Sequence, residues 1–242
     1  MKRKIILTIC ALFLTFSLSL NCFAHQPRLV KDSFINVKNP EISQAFYGEL
    51  TGQPHTYEFE SEEEFKLYLG ILVPYLPDID KDVSAQVFHL TPQEKKTLFY
   101  LKDNKAEWEI YFDKFAGDHY FIGPELKNEA YIGDPPQGIV MDPGTYQVKV
   151  YSPDNEGKYV LVIGELEKFP LHEIFKSVIA LPKIKSEFFE KPAYTAYFNY
   201  VGLIIFGFII IITVLIIYLV WLIRKLKQKH DKKSTKKRKK NK

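Results

Sequence analysis

The side chains best suited to chemistry in this chain are few and scattered. Between residue 24 and the apolar run near the C-terminus, histidines stand at His25, His55, His89, His119 and His172. None forms an HExxH zinc arrangement, because His172-Glu173 lacks a second histidine at the required helical spacing. His119 follows Asp118 directly, and a carboxylate beside an imidazole is the minimum of a general-base pair for a hydrolase. No Gly-x-Ser-x-Gly elbow supplies a nucleophile to go with it. Asp78, Asp80 and Asp82 alternate along one short segment, a spacing that suits a hard cation such as calcium. An EF-hand loop starting at Asp78 would need Gly at its sixth place and Glu at its twelfth, where Val83 and His89 stand. A solvated turn before a strand accounts for the same residues. Trp108, Tyr111, His119, Tyr120 and Tyr131 form a third group, the kind of rings with polar tips that stack on glycan or peptide. Such rings also fill the core of a small domain. Both cysteines, Cys10 and Cys22, precede residue 25, so the remaining chain has no thiol nucleophile, thiolate metal site or disulfide. These residues point away from an enzyme and toward a binding surface, with no cofactor required.

The element that positions everything else is the apolar run from Val201 to Ile223. It has no charge and no proline, and its only polar side chains are Thr213 and Tyr218. That meets the roughly 20-residue requirement for a helix crossing a bilayer. Tyr194, Tyr197 and Tyr200 precede it and Trp221 closes it, as interfacial aromatics do. Arg224 and Lys225 then open a tail with 12 Lys/Arg against the single acid Asp231. The tail reads as a cytoplasmic retention signal, attracted to anionic lipid of the inner leaflet. The span has no ion relay of its own, and Gly202 and Gly207 do not make a GxxxG pair.

The formal charge of +4 hides two opposed regions. The last 19 residues carry +11, whereas His25 to Ile223 carries 18 basic and 28 acidic residues, a net of −10. Overall basicity is therefore no sign of nucleic-acid binding. At the other end, Lys2, Arg3 and Lys4 precede an apolar stretch from Ile5 to Leu20, with small residues before a cut after Ala24. This has the order and length of a secretory signal peptide. The expected topology is a cell-membrane protein with one crossing, its N-terminal domain outside and its tail in the cytoplasm.

Between these segments the chain reads as mainly β. Tyr57 and Phe59 alternate with polar neighbours, and Gly52 and Pro54 before them suggest a hairpin-like connection to the run Ile42–Leu50. Phe65–Pro74 is an apolar central strand, and Val83–Leu90 is a strand with both faces partly covered or a bulge. Thr145–Tyr151 and Lys158–Gly164 alternate across Pro153 and Gly157 as a second hairpin. In the middle, Trp108, Tyr111, Phe112 and Phe115 fall at helical spacing and predict a short helix over 107–115. Gly117–Pro124 reads as a loop packed by its own aromatics. Near the membrane, Leu171, Ile174, Phe175, Val178 and Ile179 predict a helix interrupted at Pro182. That helix packs on the domain, or lies at the membrane surface with Lys176, Lys183 and Lys185 toward lipid.

Tyr47-Gly48-Glu49-Leu50, Tyr57-Glu58-Phe59, Pro143-Gly144-Thr145-Tyr146 and Gly157-Lys158-Tyr159 together resemble the pre-peptidase C-terminal type of β-sandwich. The resemblance covers about residues 36–165 and implies a non-catalytic, jelly-roll-like module of an exported protein. The segment 102–136 is longer than that pattern needs. The whole chain also resembles uncharacterised exported proteins with one C-terminal span. The expected organisation is a signal peptide at 1–24, a lead-in at 25–39 and a jelly-roll-like β-sandwich at 40–168. A juxtamembrane amphipathic helix at 169–190, a transmembrane helix at 201–223 and a polybasic tail at 224–242 complete it. The expected function is non-enzymatic: an anchored domain that binds or positions a protein or glycan partner, or an accessory subunit of a membrane complex.

Overall fold

The computed structural model describes residues 25–114, 116–133 and 136–240; the predicted signal peptide, with Cys10 and Cys22, lies outside them. The described residues form thirteen strands: β1 (Gln26–Leu29), β2 (Phe34–Asn36), β3 (Gln44–Thr51), β4 (His55–Ser61), β5 (Phe65–Leu67), β6 (Leu69–Pro74), β7 (Ser84–Leu90), β8 (Lys95–Leu101), β9 (Glu109–Asp113), β10 (Asp118–Leu126), β11 (Ile139–Met141), β12 (Gly144–Tyr151) and β13 (Glu156–Ile163). Two helices follow, α1 (Leu171–Lys183) and α2 (Tyr200–Lys240). A six-stranded sheet runs β1-β3-β13-β6-β10-β9 and a five-stranded sheet runs β2-β4-β12-β7-β8. A short β11–β5 pair stands beside them. Both large sheets are mixed, because β1 pairs in parallel with β3 and β2 in parallel with β4.

Period-2 alternation explains the core between the sheets. Phe46 and Leu50 of β3, Ile71 and Val73 of β6, and Leu161 and Ile163 of β13 point inward from one sheet. Tyr57 and Phe59 of β4, Ala85 and Val87 of β7, and Val148 and Val150 of β12 meet them from the other. The result is a β-sandwich-like domain.

Several expected connections fold differently. β3 and β4 are not a hairpin, nor are β12 and β13; each pair divides between the two sheets. Gly52 in the first link and Asn155 in the second have positive φ, as does Gly157 just inside β13, where the chain passes from one layer to the other. Alternation looks alike in both cases, since each strand still turns one face to the core. The apolar run Phe65–Pro74 splits at Tyr68 into β5 and β6, which belong to different sheets. β7 itself is regular and pairs in unbroken register with β12; the bulge lies in its neighbour β8, where Leu98 is the extra residue between the partners of Val87 and Phe88. Residues of the expected lead-in supply β1 and β2, one strand to each sheet.

The largest difference lies at 107–126. The predicted helix is strand β9, antiparallel to β10, and the predicted loop is β10 itself. Phe115 falls outside the described residues. Helical spacing of four aromatics was matched by a period of two: Ile110 and Phe112 share one side of β9, Tyr111 and Asp113 the other. The edge of β6 accepts β10 and β10 accepts β9, so pairing overrides a marginal local helix.

Inside the sandwich, the buried His55 Nδ1 lies 2.7 Å from the Tyr159 hydroxyl, which lies 2.7 Å from that of Tyr57. Burial raises both phenols, so they stay neutral donors. Burial holds His55 below its ordinary 6.5. Between those two values the unfolded chain binds the extra proton, so stability falls as pH drops below about 6.5. His55→Gln is expected to remove this share of the acid loss in denaturant titrations at stepped pH. An unchanged acid limb would assign the loss to other groups.

Candidate functional site

The outer face of the six-stranded sheet carries the most distinctive surface. Its outward side chains include Ala45 and Tyr47 of β3, Val160 and Val162 of β13, Leu72 of β6, and Tyr120 and Ile122 of β10. A face this apolar needs a cover. Half of it has one: Ile184, Phe188 and Phe189 pack on Ala45, Tyr120, Val160 and Val162 as a second core. These residues follow α1 in a π-helical turn, Ile184–Phe188. The chain does not break at Pro182, which lies inside α1 near its end. Phe189 meets Tyr120 at 5.2 Å and Phe188 at 5.2 Å, both edge to face.

A buried charge cluster fastens this neck. Lys185 is only 2% exposed and pairs with Asp118, itself 1% exposed. Lys191 Nζ reaches the other carboxylate oxygen of Asp118 at 2.9 Å, and Lys185 Nζ donates to the Ala116 carbonyl at 2.8 Å. Asn199 Nδ2 donates to the same carbonyl at 2.6 Å. The Asn199 Oδ1 accepts from the Gly202 N–H at 3.2 Å, the N-cap bond of α2. One side chain thus caps the apolar helix and ties it to the β9–β10 turn. Gly202 permits the approach, since a Cβ there would sit 1.6 Å from the Tyr197 carbonyl oxygen.

Beside the covered part of the face, and sharing Tyr120 and Val162 with it, lies a groove of about 730 Å³. Tyr47, Tyr68, Leu72, Tyr120, Ile122 and Val162 form its floor; Ile174, Val178 and Leu181 of α1 form one wall. Val201, Ile204 and Ile205, in the first turns of α2, form its end. Its polar groups are largely engaged. The Tyr47 and Tyr120 hydroxyls are 3.1 Å apart, and Tyr68 donates to Glu125 at 2.5 Å. Glu125 also holds Lys127 at 2.6 Å. Burial first, then Tyr47 and the acids Asp113 and Asp118 for Tyr120, and Glu125 for Tyr68, raise these phenols far above neutral pH. The groove is therefore apolar, with neutral hydroxyls at its floor. A broader depression of about 1070 Å³ lies at the other end of α1. There Arg28 and Lys176 both pair with Glu173, at 2.7 and 2.8 Å. Burial opposes the charge on Glu173, but these two cations hold its carboxyl below the ordinary value.

The sequence-selected residues disperse. Tyr111 and Tyr120 face each other across β9 and β10 and both line the groove. Trp108 packs against the sandwich core, and Tyr131 sits exposed in the loop after β10. His119 points away from Asp118, as neighbours in a strand must, and lies 4.5 Å from Phe112 and 6.0 Å from Tyr75. Asp118 is consumed by two lysines, so the Asp118–His119 pair expected for a hydrolase does not form. Among the described residues no three His, Cys, Asp or Glu side chains gather to hold a metal. Asp78 and Asp80 are exposed and Asp82 half-buried. Lys185, which one of the two readings of this segment turned toward lipid, is directed inward, as packing on the domain requires.

α2 is long and apolar enough to cross a membrane over Tyr200–Lys225. Thr213 satisfies its hydroxyl on the Ile209 carbonyl at 2.8 Å. Tyr194 before it and Tyr200 at its first position are exposed; Tyr197 bonds the Val178 carbonyl at 3.0 Å. Trp221 stacks on Tyr218, and Lys225 Nζ lies 4.9 Å from the Trp221 ring centre. The helix continues through Arg224 to Lys240.

Fold and site together define a mainly β domain joined by a packed neck to one helix consistent with a membrane span. No family model and no curated protein matches the chain. It has a distant, partial structural resemblance to the pre-peptidase C-terminal domain of collagenase from Bacillus anthracis. Identity is 15%, coverage is 59% of this chain and 98% of that one, and the TM-score is 0.30.

Proposed function

We propose that this protein is a non-catalytic accessory subunit, anchored by Val201–Ile223, whose outer β-domain holds an apolar segment of a partner membrane protein in the groove. The observation that carries this reading is the groove's composition and place: an apolar floor on the sheet, ending at the first turns of the apolar helix. A partner emerging from the bilayer meets that end first. A glycan is less well served, because Trp108, His119 and Tyr131 do not join Tyr111 and Tyr120 on one face. The buried Asp118–Lys185–Lys191 cluster supports a positioning role, since it holds the domain against its neck. The proposed topology puts the acidic β-domain outside and the Lys-rich tail against anionic lipid in the cytoplasm; a jelly-roll-like winding is part of the same reading.

Affinity isolation from solubilised membranes tests the proposal with a matched pair of variants. Leu72→Glu places a charge in the groove, whereas Tyr100→Glu places one on an exposed position of β8. The expected result is a reproducible partner chain lost with Leu72→Glu and retained with Tyr100→Glu. Equal recovery with both variants would remove the groove as the binding site.

A further inference from the structure

One apolar surface is not used by the groove or by the neck. α1 turns Ile174, Val178 and Leu181 toward the groove, yet Leu171, Phe175 and Ile179 stand 75%, 68% and 71% exposed. These three recur every fourth residue, so they form one stripe along the helix. His172, Lys176 and Lys183, all exposed, run along one edge of that stripe. Water-facing phenylalanine, leucine and isoleucine in a row need an occupant. A basic flank beside such a row is the pattern of a helix lying in a bilayer interface.

The rest of the neck indicates which occupant it is. Phe198, 82% exposed, lies between α1 and α2, with Tyr194 edge-on to it at 5.9 Å. Leu203 and Phe206 continue the exposed apolar surface onto the span itself. Exposed apolar side chains thus recur from α1 through the 193–198 turn to the start of α2, a surface that meets lipid if α2 crosses the membrane. α1 also cannot swing away freely. Tyr197 bonds the Val178 carbonyl at 3.0 Å, and Asn199 holds the start of α2 to the Ala116 carbonyl at 2.6 Å.

We infer that α1 lies on the membrane leaflet at the β-domain end of the span, with Leu171, Phe175 and Ile179 in its acyl boundary. His172, Lys176 and Lys183 then sit among the headgroups. This second contact fixes the tilt of the β-domain on the bilayer and keeps the mouth of the groove at the lipid surface. It does not depend on what the groove binds.

The test uses the full chain with Cys10→Ser and Cys22→Ser, reconstituted into phosphatidylcholine vesicles with and without phosphatidylglycerol. A polarity-sensitive dye is attached at Phe175→Cys in one sample and at Lys96→Cys, on the far sheet, in another. The expected result is blue-shifted emission at 175 and quenching by spin-labelled lipid several-fold above that at 96. Lys176→Glu with Lys183→Glu should reduce the quenching at 175 when phosphatidylglycerol is present. Quenching at 175 equal to that at 96 overturns the inference, whether the dye is then solvated or covered by protein. Because this readout needs no partner, its failure is separate from a failure of the groove proposal.

Discussion

Asp118→Ala is expected to destabilise the protein by about 3–5 kcal/mol, the cost of leaving a buried ammonium without its counter-charge. Lys185 is 2% exposed, and its remaining hydrogen-bond acceptor would be the Ala116 carbonyl at 2.8 Å. A carbonyl satisfies one of three N–H donors but neutralises nothing. The opposite truncation should be milder. Lys185→Met leaves Asp118 with Lys191 at 2.9 Å, on a side chain 39% exposed that keeps the pair in reach of water. Replacing both members, Asp118→Leu with Lys185→Met, is expected to recover most of the loss, since an apolar pair needs no desolvated partner. Chemical denaturation of the full chain in detergent micelles, followed by Trp108 fluorescence, ranks the three. Equal losses for Asp118→Ala and Lys185→Met would contradict the asymmetry that Lys191 creates.

Phe189→Ala is the second large effect, about 3–5 kcal/mol for a fully buried ring. The ring is 2% exposed and meets Tyr120 and Phe188 edge-on at 5.2 Å each. Its loss opens a cavity between neck and sheet that the rigid strands β3 and β13 cannot collapse to fill. Lys185 and Lys191 also lie 5.7 and 5.4 Å from its centroid. Asp118→Ala and Phe189→Ala therefore share partners, and their effects should combine by less than their sum. Limited trypsin digestion separates local from global loss. Cleavage at Lys185, buried in the intact neck, should rise sharply in both variants before cleavage within the sandwich does. Simultaneous cleavage at both places would show that the neck and the sandwich open together.

The sequence made the span, the terminal strands β12 and β13 and the helix α1 legible, because each depends on a period that side chains write directly. Val201–Ile223 needs only length and apolarity; Tyr146, Val148 and Val150 need only alternation. What remained illegible depends on partners distant in the chain. Trp108, Tyr111 and Phe112 satisfy a helical spacing, and only the presence of β10 as a mate turns that stretch into β9. Gly52 and Gly157 mark sharp connections, but nothing local says whether the next strand pairs or crosses to the other sheet. Lys185 looked like a surface lysine because its counter-charge is 67 residues away. Asn199 carried no visible signal at all, since its two roles need the start of α2 and the Ala116 carbonyl together. The groove was half visible: Tyr111 and Tyr120 were selected as aromatics, whereas Tyr47, Tyr68 and Leu72 passed as ordinary strand residues.

Site-specific photo-crosslinking in intact membranes tests the central claim, that the groove beside the span holds a partner, most directly. A photoreactive residue at Ile122 lies on the groove floor, and one at Tyr100 lies on the opposite sheet. The account predicts a discrete crosslinked adduct from Ile122, absent from Tyr100 and lost when Leu72→Glu is added. An Ile122 probe that gives no adduct above the Tyr100 background would contradict it.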